Sequence, residues 1–428
     1  MFKKLLVLGA LALAIGATVR TVQVPTPGGA ALFSFPLFQP RFASAEPENR
    51  WQPMWSIPTS RLQDMALAPD GSSVAWLDEE GAVSRLLGDD GSVLWKTPAY
   101  PGLDRVRINQ QGTVIAFPLN TGARSTVRLL HPEYGAGRTA LVSLHGSIRT
   151  AEITPDGKTA LLGMEPGRIY QLPMQSEAAQ PAVPRPLNDT LISLTSRLDA
   201  DGQPVVYCST RRGETLAWVS SPTEQPVWHE TGKQGEPPMQ VQTARIGDVM
   251  VCVQESGPQS PSPKIALREA STGRVLWSRT LSGFDPQVTL SDNGRYLAVT
   301  YSRPATPGSP VIERKLLVLD WQGNPLFPER GGVTFAPELV GFSAGGSCLT
   351  VRDPQGNLWL LNQRGQTLAR MAPPRDEQGK PMRLHRTSLN PSGDYLLLHY
   401  SAEPKVAPAS SAGRLCLYRF RGNGSQEP

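Results

Sequence analysis

The segment that decides the fold is Val288-Thr289-Leu290-Ser291-Asp292-Asn293-Gly294-Arg295-Tyr296-Leu297-Ala298-Val299-Thr300, because its pattern recurs along the chain. A short apolar run enters a four-residue turn that ends in Gly294, and a second apolar run leaves it. Asp and Asn side chains hydrogen-bond within such turns, and glycine accepts a positive φ. The segment therefore predicts two antiparallel strands joined by a tight turn.

Eight glycine turns of this kind are spaced regularly along the chain. They end at Gly71, Gly112, Gly157, Gly202, Gly247, Gly294, Gly346 and Gly393. Successive glycines are separated by 41, 45, 45, 45, 47, 52 and 47 residues. In the sixth repeat a third apolar run, Lys315–Leu319, leads to a second glycine turn at Gly323, and Pro325–Phe327 begins a fourth strand. Four short strands with their connections fill about 45 residues, which is the size of one propeller blade.

The chain is therefore predicted to be all-β, an eight-bladed β-propeller with four-stranded antiparallel blades over residues 51–420. The last repeat lacks an outer strand, because only eight polar residues follow Arg414–Phe420. The stretch Met54–Pro58 matches the outer-strand sequences Leu94–Pro98 and Leu276–Thr280. We predict that this N-terminal strand closes the ring, with Trp55 as the ring-closure residue, since a closed ring has no exposed edge.

Three segments resemble the repeat of the PQQ-like propeller superfamily, namely Glu80–Trp95, Ile265–Trp277 and Gln355–Gly365. The Pro-Asp-Gly turns also resemble the WD40-like repeats of periplasmic propellers. The resemblance implies a propeller over residues 51–420, and its motifs are structural ones that imply no activity. PQQ-dependent enzymes of this superfamily hold the quinone with calcium and a catalytic acid, and none of those residues can be matched here. We therefore predict no catalytic residue, no cofactor and no metal ligand.

The N-terminus has the pattern expected of a targeting signal. Lys3 and Lys4 precede an apolar run from Leu5 to Val19, so residues 1–20 are predicted to be a signal peptide or an N-terminal membrane anchor. Residues 21–50 are predicted to be a Pro-, Gly- and Ala-rich linker, and residues 421–428 a polar tail. Paired lysines favour a cytoplasmic N-terminus, so both alternatives place the propeller in the periplasm or at the outer face of the cytoplasmic membrane. The first cysteine is Cys208, and we expect no lipid-modified N-terminal cysteine.

Composition and short motifs add further expectations. The net charge is +5, and the basic residues are scattered, so no nucleic-acid partner is predicted. The four cysteines lie in separate apolar runs, which leaves buried free thiols and a disulfide both open. The five histidines lack metal-ligand spacing. The G-x-S-x-G match at Gly341–Gly345 and the Asp-x-Asp-Gly match at Asp199–Gly202 fall on the recurrent turn, so both are predicted to be structural.

The connections between second and third strands are long in three repeats and are predicted to emerge on one face of the ring. They are Ser256–Lys264, Ser302–Ile312 and Ser401–Gly413. Long insertions on one face of a repeat ring commonly form the binding face, and one residue of each becomes a candidate: Lys264, Arg303 and Lys405. The pattern favours a non-enzymatic protein-binding or scaffold module of the bacterial cell envelope, with a protein or peptide partner. The alternative is a sensor or enzyme that binds a small ligand or metal in the central channel.

Overall fold

The computed structural model describes most of the chain from residue 51 onward and two short segments before it. The described ranges are 18–24, 33–39, 51–59, 62–119, 122–133, 135–174, 185–187, 189–219, 226–231, 239–256, 262–306, 308–332, 336–376, 378–401 and 413–420.

Residues 1–48 and 49–428 form two separate units. The first contains β1 (Thr18–Val24) and β2 (Phe33–Gln39), which pair antiparallel with Thr18 opposite Gln39. Residues 1–17, which hold most of the predicted signal peptide or anchor, lie outside the described ranges. Within those ranges no helix has the length and apolar character needed to cross a bilayer. The division of the first 50 residues into a signal peptide or anchor (1–20) and a linker (21–50) remains a prediction.

The second unit consists of eight antiparallel sheets of four strands, which we number as blades I to VIII. It begins with β3 (Trp51–Thr59), which belongs to blade VIII. Blade I has β4 (Leu62–Leu67), β5 (Ser73–Asp78), β6 (Val83–Leu87) and β7 (Val93–Lys96). Blade II has β8 (Arg105–Ile108), β9 (Val114–Phe117), β10 (Arg124–His131) and β11 (Gly135–His145). Blade III has β12 (Ser147–Ile153), β13 (Thr159–Glu165), β14 (Arg168–Pro173) and β15 (Arg185–Pro186). Blade IV has β16 (Leu191–Leu198), β17 (Pro204–Thr210), β18 (Thr215–Val219) and β19 (Trp228–Glu230).

The remaining blades follow the same order. Blade V has β20 (Met239–Thr243), β21 (Val249–Gln254), β22 (Lys264–Glu269) and β23 (Val275–Thr280). Blade VI has β24 (Phe284–Leu290), β25 (Tyr296–Pro304), β26 (Ile312–Asp320) and β27 (Arg330–Gly332). Blade VII has β28 (Glu338–Phe342), a 3-10 turn (Ala344–Gly346), β29 (Cys348–Arg352), β30 (Leu358–Asn362) and β31 (Thr367–Met371). Blade VIII has β32 (Arg383–Leu389), β33 (Tyr395–Ser401) and β34 (Gly413–Phe420), with β3 on its outer side.

The eight blades close a ring around their first strands. Each first strand contacts the first strand of the next blade, and β32 of blade VIII contacts β4 of blade I. Apolar side chains fill the space between blades, as with Ala75 of blade I and Val106 and Leu130 of blade II, which share one fully buried cluster. The predicted eight-bladed, all-β propeller is confirmed.

All eight predicted glycine turns join the first and second strands of a blade. Seven of the glycines have φ between +69° and +81°. Gly247 is the exception, because its φ is not positive. Glycine is needed there because the neighbouring turn packs closely against it. A Cβ there would lie 2.6 Å from the backbone oxygen of Asn293 in the neighbouring turn. Asparagines in these turns link one blade to the next: the Nδ2 of Asn390 donates to Pro69 O at 2.8 Å, and that of Asn109 to Gly157 O at 2.8 Å.

Ring closure by the N-terminal strand is confirmed. Strand β3 pairs antiparallel with β34 from Trp51 opposite Phe420 to Thr59 opposite Gly413. Trp51 is buried and packs edge-on against Phe420, with ring centroids 5.3 Å apart. The fourth strand of blade VIII thus comes from residues more than 350 positions away in sequence, and it pairs the edge that β34 would otherwise expose.

A recurring contact, which we call the tryptophan latch, joins the outer strand of one blade to the turn between the third and fourth strands of the next. The indole Nε1 of Trp55, in blade VIII, donates to Gly88 O of blade I at 2.7 Å. A Cβ on Gly91 of that turn would lie 2.9 Å from the Trp55 ring. Two further latches pair Trp228 with Ala270 O at 2.8 Å and Trp277 with Trp321 O at 3.0 Å, over Gly273 and Gly323 respectively. Trp95 donates across the interface between blades I and II to Pro132 O at 2.9 Å.

The fourth strand of blade VI begins later than the sequence predicted. Pro325 forms only an isolated bridge with Leu319, and the outer strand β27 begins at Arg330. Proline has no N–H to donate to a ladder, and the adjacent Leu326 N–H donates to Val318 O at 2.9 Å without extending the strand. Phe327 instead packs against Gly365 of blade VII, where a Cβ would lie 2.7 Å from its ring. In this position phenylalanine takes the place of the latch tryptophan.

Trp55→Ala should lower the stability of the propeller by about 3 kcal/mol, because it removes a buried aromatic side chain and leaves a cavity at the ring closure. Trp55 is 8% exposed, whereas Trp321 is 55% exposed, so Trp321→Ala serves as the matched control and should cost less than about 1 kcal/mol. Urea unfolding followed by tryptophan fluorescence and circular dichroism measures both. Equal midpoints for the two variants would contradict the closure role.

Candidate functional site

Three arginines converge on one carboxylate at the inner strands of three consecutive blades. Asp64 of β4 is 5% exposed, and its Oδ2 accepts the backbone N–H of Val106 at 3.1 Å. Its Oδ1 lies 3.1 Å from Nη1 of Arg386 in blade VIII and 3.7 Å from Nη1 of Arg105 in blade II. Its Oδ2 lies 3.4 Å from Nη1 of Arg107. Because all four residues belong to the first strands of their blades, which contact one another around the centre, this arginine cluster lies on the inner side of the ring.

The guanidinium groups of the cluster repel one another. Burial lowers the pKa of Arg386, the Asp64 carboxylate opposes that shift, and the charges of Arg105 and Arg107 add to it. The cluster is partly open to solvent. The side chains of Arg105, Arg107 and Arg386 are 33%, 38% and 32% exposed. Three positive charges therefore share one buried negative charge.

Glu152 of β12 extends the cluster into blades III and IV. Its Oε1 accepts the backbone N–H of Ser196 at 2.8 Å and the Ser196 hydroxyl at 2.9 Å. Burial raises the pKa of Glu152 to about 7, against the lowering effects of Ser196 and of the Arg107 charge. This carboxyl group is consequently protonated for part of the time at neutral pH, and it cancels only a fraction of the arginine charge.

Two histidines lie beside the cluster in blade VIII. His385 and His399, on the paired strands β32 and β33, stack with ring centroids 6.0 Å apart. Burial, followed by the charges of His385 and Arg386, lowers the pKa of His399 to about 4. His399 is therefore a neutral imidazole at physiological pH. Among the described residues no group of three or more His, Cys, Asp or Glu side chains is arranged to hold a metal ion.

A second candidate region is an open groove of about 610 Å³ between blades VI and VII. Its lining residues are Glu329, Arg330, Gly331, Asp353, Gln355, Trp359, Leu361, Thr367 and Arg370. The guanidinium of Arg370 lies over the Trp359 ring, 4.7 Å from its centroid, and the Trp359 Nε1 donates to Asp353 Oδ2 at 2.9 Å. The turn after β29 and the end of β25 both lie at this face, so the groove opens on the side of the connections between second and third strands.

The three predicted binding-face residues differ in where they lie relative to the groove. Arg303 lies near the end of β25, where its Nε donates to Glu313 Oε1 at 2.9 Å and its Nη1 lies 3.6 Å from Glu329 Oε2. Since Glu329 lines the groove, Arg303 borders it. Lys264 is exposed at the start of β22 in blade V, and Lys405 lies outside the described residues. Their roles as binding residues stay a prediction.

The motifs with a catalytic appearance are turns in the structure. Ser343 is buried, and its Oγ accepts the backbone N–H of Cys348 at 3.1 Å. Asp199 Oδ1 accepts the N–H groups of Asp201 at 2.9 Å and Gln203 at 2.8 Å, which closes its own turn. All four cysteines are free and buried, which resolves the alternative in favour of free thiols. Burial raises the pKa of Cys208 and of Cys252 to about 12.

The arginine cluster was not predicted from the sequence, although the repeats contain a signal for it. Asp64, Arg105 and Arg386 each lie seven residues before the glycine of their turn, at Gly71, Gly112 and Gly393. Side chains two residues apart in a strand share a face, so the positions five residues before the glycine line the same side. Arg107 and Glu152 occupy those positions, before Gly112 and Gly157. Alignment of the repeats on their glycines places all five on the same inward positions.

Comparisons with known proteins bear on the fold. No family model matches the chain, and no curated protein matches it. Among solved structures, BamB from Moraxella catarrhalis is similar with a TM-score of 0.56 and 16% identity, covering 86% of this chain and 100% of that one. Sqt1 from Saccharomyces cerevisiae has a TM-score of 0.57 at 10% identity, covering 87% and 100%, and the C-terminal WD40 domain of Sif2 has 0.58 at 11%, covering 87% and 99%. These similarities agree with the β-propeller fold of the chain.

Glu152→Gln should change how stability depends on pH. The pKa of Glu152 is about 7 in the folded protein and about 4.5 in the unfolded chain. Ionisation of this group therefore lowers the free energy of unfolding of the wild type as pH rises from 4.5 through 7. Glutamine keeps an oxygen acceptor for Ser196 and does not titrate. Relative to wild type, the variant should gain about 2 kcal/mol between pH 4.5 and 8, a value reduced for partial solvent screening.

Urea unfolding at several pH values measures this difference. The exposed Glu80→Gln variant, which lies on a turn of blade I, is the control and should follow the wild type throughout. A Glu152→Gln curve parallel to that of wild type would contradict the raised pKa.

Proposed function

We propose that the chain is a non-enzymatic protein-binding or scaffold module, and that a protein or extended peptide docks in the groove between blades VI and VII. The observation that carries this proposal is the groove itself, at about 610 Å³. It lies on the face where the long connections between second and third strands emerge, and loops on one face of a rigid repeat ring are the usual position of binding sites.

The groove walls suit an extended polypeptide. Strand β27 is the outermost strand of blade VI and pairs only with β26 within the described sheet. Its free edge offers backbone groups to which a peptide strand can add, while side-chain pockets select residues. Trp359 provides an aromatic surface, and exposed Arg370 provides a charged rim, a combination typical of protein interfaces.

The long connection of blade VI extends the same surface. Arg303 joins this connection to Glu329 in the groove wall, and Val311 and Ile312 are 45% and 47% exposed. Exposed apolar residues beside a polar groove support a protein partner over a small hydrophilic ligand. Lys264 of blade V belongs to the same face and extends the proposed surface.

We also propose an extracytoplasmic location, in the periplasm or at the outer face of the cytoplasmic membrane. The support is the apolar run Leu5–Val19 behind the Lys3-Lys4 pair, which has the order of charge and hydrophobicity of an export signal. Residues 1–20 are either removed or retained as a membrane anchor, and the fusion experiment below distinguishes the two.

Arg370→Glu should reduce capture of the partner about tenfold, because it reverses the charge of the groove rim. A photo-reactive amino acid placed at the exposed groove residue Thr367 crosslinks whatever docks there in intact cells. The matched control is the exposed Arg168 of blade III, used both as Arg168→Glu and as a crosslinker position. The same crosslinked products from both positions, or undiminished capture by Arg370→Glu, would contradict docking in the groove.

A fusion of alkaline phosphatase after Pro428 should be active in cells, because that enzyme gains activity only outside the cytoplasm, where its disulfides form. Deletion of residues 1–50 should abolish the activity. Fractionation and the mass of the recovered chain then distinguish a cleaved signal from a retained anchor, and an inactive full-length fusion that is present at normal levels would contradict export.

A further inference from the structure

We infer that the arginine cluster at the inner strands of blades VIII, I and II is a binding site for a tetrahedral dianion, a phosphate or sulfate group. The inference does not depend on the groove or on the proposed protein partner. It follows from the charge, the geometry and the exposure of the cluster.

Charge balance distinguishes this cluster from the other arginine pairs of the ring. Three less exposed arginines each have a carboxylate of their own, in the pairs Arg197–Asp248, Arg268–Glu230 and Arg314–Asp285. At the inner strands three arginines share Asp64, which leaves two positive charges uncompensated. Glu152 reduces this excess only while it is ionised. Because its pKa is about 7, only a fraction of the Glu152 carboxyl groups is ionised near neutral pH. A dianion supplies the missing charge.

The geometry leaves donors available for such a ligand. All the ion-pair contacts that Asp64 makes with Arg105, Arg107 and Arg386 use one terminal nitrogen, Nη1, of each side chain. A guanidinium carries five N–H donors in a planar fork. Two such forks from different strands match the oxygen atoms of a phosphate or sulfate group and bind it through charge-assisted hydrogen bonds.

The cluster is also reachable from solvent. Each of the three arginine side chains is about one third exposed, whereas Arg197, Arg268 and Arg314 are 8%, 12% and 14% exposed. The exposed part lies on the inner side of the ring, where the innermost strands form the wall. An incoming anion therefore meets the free donors of the cluster, while Asp64 remains behind them.

Isothermal titration calorimetry of the whole chain with sodium sulfate, at an ionic strength held constant with chloride, tests the inference. We expect saturable binding of one sulfate per chain. Arg107→Gln and Arg386→Gln should each weaken it about tenfold, since each removes a charge-assisted hydrogen bond. Arg274→Gln, in an exposed turn of blade V with a side chain 68% exposed, is the control and should bind like wild type.

Asp64→Asn separates binding from folding. This substitution removes the carboxylate that competes with the ligand, so it should tighten sulfate binding even if it lowers the melting temperature. A purely structural cluster would lose stability in this variant and show no gain in affinity. Absence of saturable binding to folded wild type, or equal affinity for wild type and both arginine variants, would overturn the inference.

Two further titrations define the ligand. Sulfate stays a dianion between pH 6 and 8. Binding should be tighter at pH 6, and the part of this pH effect that is lost in Glu152→Gln reports protonation of Glu152. Inorganic phosphate and glycerol phosphate distinguish a free anion from a phosphomonoester: a site for the ester binds both, whereas a site for the free anion binds only inorganic phosphate. Acetate of equal affinity would contradict selectivity for a dianion.

Discussion

A tryptophan on the outer strand of one blade packs flat against a glycine of the next, and its indole N–H donates to a backbone carbonyl of that same turn. Any side chain on Gly91, Gly273 or Gly323 would collide with the ring above it. The latch therefore joins neighbouring blades at the rim, while contacts among first strands join them at the centre. At Trp55 the same contact closes the ring, so the architecture depends on a strand taken from the far end of the propeller sequence.

Ring closure explains why the arginine cluster exists. Strands β32, β4 and β8 are brought side by side only because blade VIII is completed by β3 and held against blade I. Asp64 then accepts hydrogen bonds or ion pairs from both neighbours, at distances of 3.1 to 3.7 Å. A buried carboxylate is stable there because both of its oxygens accept hydrogen bonds and it is paired with positive charge. The excess of arginine over carboxylate is the feature that a packed, purely structural core would not need.

The groove between blades VI and VII lies where blade VI differs from the blades that carry a latch. Blade VI has Phe327 at the position that Trp55, Trp228 and Trp277 occupy in blades VIII, IV and V, and its outer strand begins late, at Arg330. The groove is lined by Trp359, Arg370 and the edge of β27. It is the surface on which we propose that a protein or peptide docks.

The sequence by itself determined the blade count, the strand order within a blade, the glycine turns and the closing strand at Trp55. These features depend on short-range chemistry that recurs at a constant interval: turn residues, positive-φ glycine and alternating apolar runs. The repeat also identified Ser343 and Asp199 as turn residues. It placed the start of the outer strand of blade VI too early, at Pro325 instead of Arg330.

Tertiary structure alone decided which distant side chains meet. Asp64 and Arg386 are separated by 322 residues, and no local pattern states that their strands are neighbours or how much charge remains uncompensated between them. Alignment of the repeats could have shown that Asp64, Arg105 and Arg386 occupy equivalent inward positions, but their distances and exposure required the closed ring. The same holds for the groove, whose volume depends on what the neighbouring blade leaves uncovered. Position within a repeat is a local property, whereas burial and charge balance are set by the neighbours that folding supplies.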